Sequence, residues 1–365
     1  MQVDLKKTNL QEFLKYKTLY YDKIDFTVVK SSWNKLSTKI KLPFVIHIVG
    51  TNGKGSTGRF LAHYLYKKDF KVLHYSSPHI VKFNERIWIN GNDVKDEELE
   101  VAHKFLQDLY DVEILQKLTY FEYTTLLAFY LSKDFDYLVL EAGLGGEFDA
   151  TNVVENDLSL ITTIGLDHQS FLGNSVREIA MTKMRSVDNK MLIGYQLYDD
   201  VIKTAYEVKE QIKNERNRDI EIVQVKEFDK YSINDKFANY LKRNLHLVIA
   251  CLNELKIDID LKLFDDVPLF GRCQRILPNV TIDVGHNPLA AQMIVKEFGN
   301  RKITLIYNSY GDKDYEGVLK ILKPIIKKII IIELDDKRIV DKNNLLKIIN
   351  ELNIINEDKI TIEQN

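Results

Sequence analysis

Residues 44–49 read FVIHIV, a short β-rich run that ends in the glycine-rich turn GTNGKGS, and from Thr57 to Lys67 apolar residues recur at helical spacing. A strand feeding a helix through a tight loop is the opening unit of a parallel sheet, so this one feature removes most all-β and all-helical architectures. Later segments keep the same alternation. Strands are expected at Lys71 to Tyr75, Tyr137 to Glu141 (YLVLE), Leu158 to Ile164 (LSLITTI) and near Lys190 to Gly194, with helical segments between most of them. Continuous apolar strands separated by helices predict a sheet buried on both faces, which is a three-layer α/β domain with a parallel-rich sheet.

The chain has 365 residues, more than one hydrophobic core usually serves, so two domains are expected. A charged helical zone covers Ala205 to Arg218, an amphipathic helix covers Phe237 to Leu255, and DDVPLFGR then supplies Pro268 and Gly271. The boundary is placed there, giving domains 1–267 and 268–365. Beyond it VTIDV, ITLIYN and KKIIIIEL predict three strands with helices between them, a smaller Rossmann-like α/β domain.

The loop lies where the first strand ends, and parallel sheets bind ligands at the carboxyl ends of their strands. Gly50, Gly53 and Gly55 let the backbone bend closely around phosphate oxygens. The amides of Gly50, Thr51, Asn52, Gly53, Lys54, Gly55 and Ser56 and the helix N-terminus offer partial positive charge, and Lys54 adds a full one. The general nucleotide-loop template requires glycine at Ile48 and a hydroxyl residue directly after the lysine, so this is a variant. A bare glycine-rich turn is the bland alternative, and a phosphate loop by itself suits kinases and GTPases as well.

Hydrophobic residues make up 45% and charged residues 28%, which excludes disordered and fibrous classes. A net charge of −2 supplies no global field for nucleic acid, so attraction to an anion must be local. No segment reads as a membrane anchor, and MQVDLKKTNLQEFLKYK lacks the apolar core of an export signal, so the cytoplasm is expected. Cys251 and Cys273 have no metal-type spacing and are expected as reduced thiols.

GTNGKGS followed by YSSPHIVKFNERIWING, FEYTTLLAF, DYLVLEAGLGGEFDATNVV, ITTIGLDHQSFLGNSVREIA, FGRCQRI, DVGHNP and YGDKD resembles, in order, the folylpolyglutamate synthase and dihydrofolate synthase family of the Mur ligase superfamily. The resemblance spans Val45 to about Asp314. It implies an ATP-dependent ligase that joins L-glutamate to dihydropteroate or a reduced folate through an acyl phosphate. An N-terminal domain would hold ATP, and a small C-terminal domain would close over nucleotide and glutamate. It further implies two magnesium ions held by Ser77, Glu141 and His168, and a carbamate on Lys183. Asn244 would lie near the adenine, with Arg272, Asp283 and His286 reaching the nucleotide or the transferring phosphate. The catalytic set is then Lys54, His168, Lys183, Arg272 and His286, in a monomer.

Bottom-up, the same residues have plainer readings: a solvated or capping Glu141 or His168, an ordinary ion pair at Lys183, a surface Asn244 or Arg272, and a turn-forming Asp283. The motif departs from the family at Thr182, Met184, Arg185 and Val284. Residues that would hold the pterin are not identified, since the aromatic residues of FEYTTL fit a core at least as well. Two rival functions stay open: a Mur-type ligase for another carboxylate, and a nucleotide-binding regulator without catalysis.

Overall fold

The computed structural model describes residues 4–18, 25–226 and 233–364. It divides into two compact units, Met1–Asn234 with Leu241–Pro268, and Asp235–Tyr240 with Leu269–Asn365. In the first, eight strands form one sheet: β1 Phe44–Val49, β2 Val72–Tyr75, β3 Ile87–Ile89, β4 Asn92–Asp93, β5 Tyr137–Glu141, β6 Leu158–Ile161, β7 Lys190–Ile193 and β8 Glu221–Gln224. Their order is β4-β3-β2-β5-β1-β6-β7-β8. The run from β2 to β8 is parallel, and β3 and β4 add an antiparallel edge.

Strand β1 stands in the middle, with β5 on one side and β6 on the other. Five of its six residues are buried, as a continuous apolar run in a doubly covered sheet requires. Alternation of side chains then sorts the faces. Leu73 and Tyr75 of β2, Val45 of β1 and Leu138 and Leu140 of β5 join Tyr123, Leu126 and Leu127 of the Tyr120–Leu131 helix in one core. Val49, Ile161, Met191 and Ile193 pack with Ile179, Met184, Val201 and Val208 in another. The Lys54–Lys67 helix lies across the opposite face, where an ideal Cβ on Gly58 would come within 2.3 Å of Nε2 of His74 in β2.

Local differences from the expected elements have physical reasons. The helix begins at Lys54 rather than Thr57, because the end of the glycine-rich loop is already helical. Strand β6 stops at Ile161, since the chain beyond it turns to support the loop that follows β1. Strands β3 and β4 are three and two residues long, too short for a period to show.

The second unit contains β11 Ile303–Tyr307, β12 Ile326–Glu333 and β13 Ile360–Gln364 in one parallel sheet, with the Tyr315–Leu322 and Lys342–Glu351 helices as crossovers. Leu319, Leu322, Ile329, Ile331, Leu345 and Ile349 form its core. VTIDV does not enter that sheet. Val280–Ile282 (β10) pairs antiparallel with Gln274–Leu277 (β9) as a separate hairpin, because QRIL two residues upstream is the nearer partner.

Residues 258–266 return to the Lys54–Lys67 helix and lie along it. Phe264 stacks on Tyr64 with centroids 4.7 Å apart and meets Phe60 edge-on at 6.0 Å, while the Tyr64 hydroxyl donates to the Asp258 carbonyl at 2.6 Å. Phe264→Ala is expected to lower the unfolding free energy by about 3–5 kcal/mol in urea denaturation. An unchanged midpoint would mean that this segment does not support the helix.

Candidate functional site

The loop after β1 is tied down before it can bind anything. The amides of Thr51 and Asn52 both donate to the Thr163 carbonyl, at 3.0 and 3.1 Å, and the Thr51 hydroxyl bridges the carbonyl and amide of Gly165 at 2.9 and 3.1 Å. These two amides are engaged within the fold. Gly53 caps the helix with φ +92°, a left-handed conformation that favours glycine. No side chain caps this end, and the first intrahelical bond is Thr57 N to Gly53 O at 2.9 Å. The amides of Lys54, Gly55 and Ser56 precede it and point off the helix end, where partial positive charge collects. Lys54 lies back across the loop, its Nζ 3.2 Å from the Gly50 carbonyl and 3.4 Å from that of Thr51.

Asn244 is placed against this loop. Its Nδ2 donates to Ser56 Oγ at 2.9 Å, and a Cβ on Gly53 would fall 2.8 Å from its Oδ1. Its amide thereby braces the hydroxyl residue of the loop.

Glu141 ends β5 opposite Ile48 of β1, which turns its side chain to the face covered by the Lys54–Lys67 helix. It is buried, and the Ser77 amide approaches its Oε2 at 3.4 Å. Thus Ser77 and Glu141 are neighbours through the Ser77 backbone. His168 caps the short Gln169–Leu172 helix at φ +49°, and its side chain is 40% exposed with Nε2 3.9 Å from Asp167. Among the described residues no group of three or more His, Cys, Asp or Glu side chains is arranged to hold a metal. One carboxylate beside a hydroxyl residue still fits magnesium, which keeps waters and takes phosphate oxygens as ligands.

Lys183 sits where helical spacing must bury it. The Val176–Met184 helix, opened by a Ser175/Glu178 capping box, buries Ile179, Ala180, Lys183 and Met184 on one face. Burial, reinforced by the Lys54 charge, holds the Lys183 amine down to about 7, with Asp167 and Asp149 pulling the other way. The fold thus brings Lys54, Lys183, Asp149 and Asp167 into one electrostatic neighbourhood; neither aspartate stood out in the sequence, although both lie in motifs that carry the resemblance.

In the second unit, Asp283 receives Cys273 N and the Tyr240 hydroxyl on Oδ2, each at 2.8 Å, and Gly285 N on Oδ1 at 2.6 Å. Val284 N donates to Gly271 O at 2.9 Å. These bonds join the turn carrying Arg272 to the turn carrying His286. Of the aromatic segment, Tyr123, Thr124 and Thr125 are buried, and the Tyr123 hydroxyl meets His103 Nδ1 at 2.7 Å.

No family model matches the sequence. Among curated proteins, the dihydrofolate synthase/folylpolyglutamate synthase of Haemophilus influenzae is 32% identical over 369 residues, covering 89% of this chain and 83% of that protein. Among solved structures, Helicobacter pylori folylpolyglutamate synthetase is 36% identical with a TM-score of 0.72, covering 97% of this chain and 94% of that one. An E. coli structure in complex with DHPP and ADP has a TM-score of 0.80 at 24% identity, covering 99% of this chain and 89% of that one, a likeness of fold.

The low value for Lys183 carries a stability signature. Its folded pKa lies below the unfolded lysine value, so between about 7 and roughly 10 the unfolded chain binds more protons and stability rises with pH. Below that window both states are protonated and the folded one bears the full burial penalty. Urea midpoints of the wild type should climb relative to Lys183→Met as pH goes from about 7 to 9; parallel curves would show an ordinary amine.

Proposed function

Because the chain belongs to the dihydrofolate synthase/folylpolyglutamate synthase family, whose members are ATP-dependent ligases, we propose that it joins L-glutamate to dihydropteroate, to a folate already carrying glutamate, or to both. The substrate carboxylate would attack the γ-phosphate of ATP to give an acyl phosphate and ADP. The glutamate amine would then displace phosphate. The observation that carries this reading is the loop of residues 50–56, which offers three helix-end amides and Lys54 beside a second, buried lysine.

In this reading the amides of Lys54, Gly55 and Ser56 hold phosphate oxygens, and Lys54 exchanges its carbonyl partners for the charge that develops during transfer. Ser77, Glu141 and His168 would hold magnesium, two ions in all, which supplies charge neutralisation at the transferring phosphoryl group. With its pKa held down to about 7, Lys183 is neutral in a large share of molecules near pH 7, so its nitrogen can add to carbon dioxide, releasing a proton and leaving a carbamate. Arg272 and His286 act on the phosphate, and Asp283 keeps their two turns joined. Residues 1–267 would then be the ATP domain and 268–365 the glutamate-ligase domain of a cytoplasmic monomer. Among the described residues no helix is long and apolar enough to cross a membrane.

Purified protein with ATP, magnesium and glutamate should release ADP when dihydropteroate or tetrahydrofolate is added, and the product should gain the mass of one glutamate residue. Gain with dihydropteroate alone makes the activity dihydrofolate synthesis, and gain with both makes it bifunctional. No gain with either would move the reading to another carboxylate.

Lys183→Arg keeps a cation but cannot form the carbamate. It should lose about a hundredfold in kcat, and the wild type should show a carbamate carbon by NMR in labelled bicarbonate. Full activity of the arginine variant would remove the carbamate from the mechanism.

A further inference from the structure

The turn that follows β5 is organised by a carboxylate with no solvent exposure to speak of. Asp149 accepts Thr151 N at 3.0 Å and the Thr151 hydroxyl at 2.5 Å on Oδ1, and Leu144 N at 2.7 Å on Oδ2, with a further bond from the Gly143 amide. All four partners are donors, which suits an ionised carboxylate even though burial pushes its pKa up.

The network continues into the sheet. His47, on β1 three residues before the loop of residues 50–56, places Nε2 2.9 Å from Thr151 Oγ1. The single hydroxyl proton of Thr151 is committed to Asp149, so the hydroxyl oxygen accepts from His47. That fixes the imidazole as the Nε2–H tautomer, with its buried Nδ1 left without a partner.

The other side of the turn rests on the end of the Val176–Met184 helix. Glu147 N donates to the Thr182 carbonyl at 2.9 Å, and Arg185 pairs with Glu147 at 2.8 Å. A Cβ on Gly146 would fall 2.5 Å from the Lys183 carbonyl oxygen and 2.8 Å from its Cα, so the two backbones touch. A turn in such contact cannot shift without moving Lys183.

We infer that His47, Thr151 and Asp149 form a positioning relay that fixes the 143–147 turn and, through it, the place of Lys183. The functional half of this statement rests on the role given to Lys183 above. The structural half stands on the hydrogen bonds alone. The relay runs from the strand that leads into the phosphate loop, through a hydroxyl and a carboxylate, to the helix end that carries the buried amine. Their effect on Lys183 runs through the turn that they hold.

The test pairs Thr151→Val, which keeps the shape and loses the hydroxyl, with Thr151→Ser, which keeps the hydroxyl. In nitrogen-15 histidine spectra of the wild type, His47 should be the neutral Nε2–H tautomer and stay so between about pH 6 and 8. In Thr151→Val the Glu147 amide should exchange about tenfold faster, since its support is loosened. The same variant should lose about tenfold in kcat with KM for ATP within about twofold, the pattern of misplacement rather than lost binding. Thr151→Ser should restore all three readouts.

An Nδ1–H tautomer in the wild type overturns the relay without any variant, which covers the case in which Thr151→Val fails to fold. Equal Glu147 exchange in Thr151→Val and wild type overturns it too. Both measurements need no turnover, so they separate failure of the relay from failure of the ligase reading.

Discussion

Two amide hydrogen bonds, from Thr51 and Asn52 to the Thr163 carbonyl, decide how the centre of the large sheet can be used. They lash the segment leaving β1 to the segment leaving β6, so the two neighbouring strands open at their carboxyl ends into one anchored structure rather than two loose loops. Everything downstream takes its position from that. The helix starts where the tethered segment runs out, at Gly53, and its unbonded amides are aimed by the tether. Thr51 adds a hydroxyl to the same lashing and needs no freedom of its own.

Around this anchor the protein accepts several arrangements that would be penalties elsewhere. A lysine is buried beside another lysine, an aspartate is buried with only donors for company, and His47 keeps one ring nitrogen without a partner. Each costs free energy that a purely structural core would avoid by using apolar residues. Lys183 and Asp149 meet at the turn that follows β5, while His47 lies within β1 and reaches that turn through Thr151.

What could be read from the chain alone divides along the distance over which a signal acts. The β1, loop and helix succession was plain because its pattern is written in adjacent residues, and Glu141 could be set at a strand end for the same reason. The antiparallel edge β3–β4 escaped notice because strands of three and two residues show no period. VTIDV reads as one of three strands separated by helices because an apolar run does not name its partner, and the hairpin with QRIL depends on pairing rather than on composition. Asn244 bracing Ser56 joins positions 188 apart, and nothing local marks either as the other's partner. The same holds for His47 and Thr151, 104 apart, whose connection exists only once β1 and the turn after β5 are folded.

The left-handed glycine at the start of the Lys54–Lys67 helix has a thermodynamic meaning beyond the room it makes. Helices are usually closed at this end by Ser, Thr, Asp or Asn, whose oxygen completes the first turn. Gly53 offers no such oxygen, and the helix opens uncapped. In the proposed reading a phosphate would be the missing last piece of a secondary-structure element, and the free energy of occupying the loop and that of finishing the helix would be one quantity. On that reading the chain would fold to a helix open at one end and be finished by its ligand.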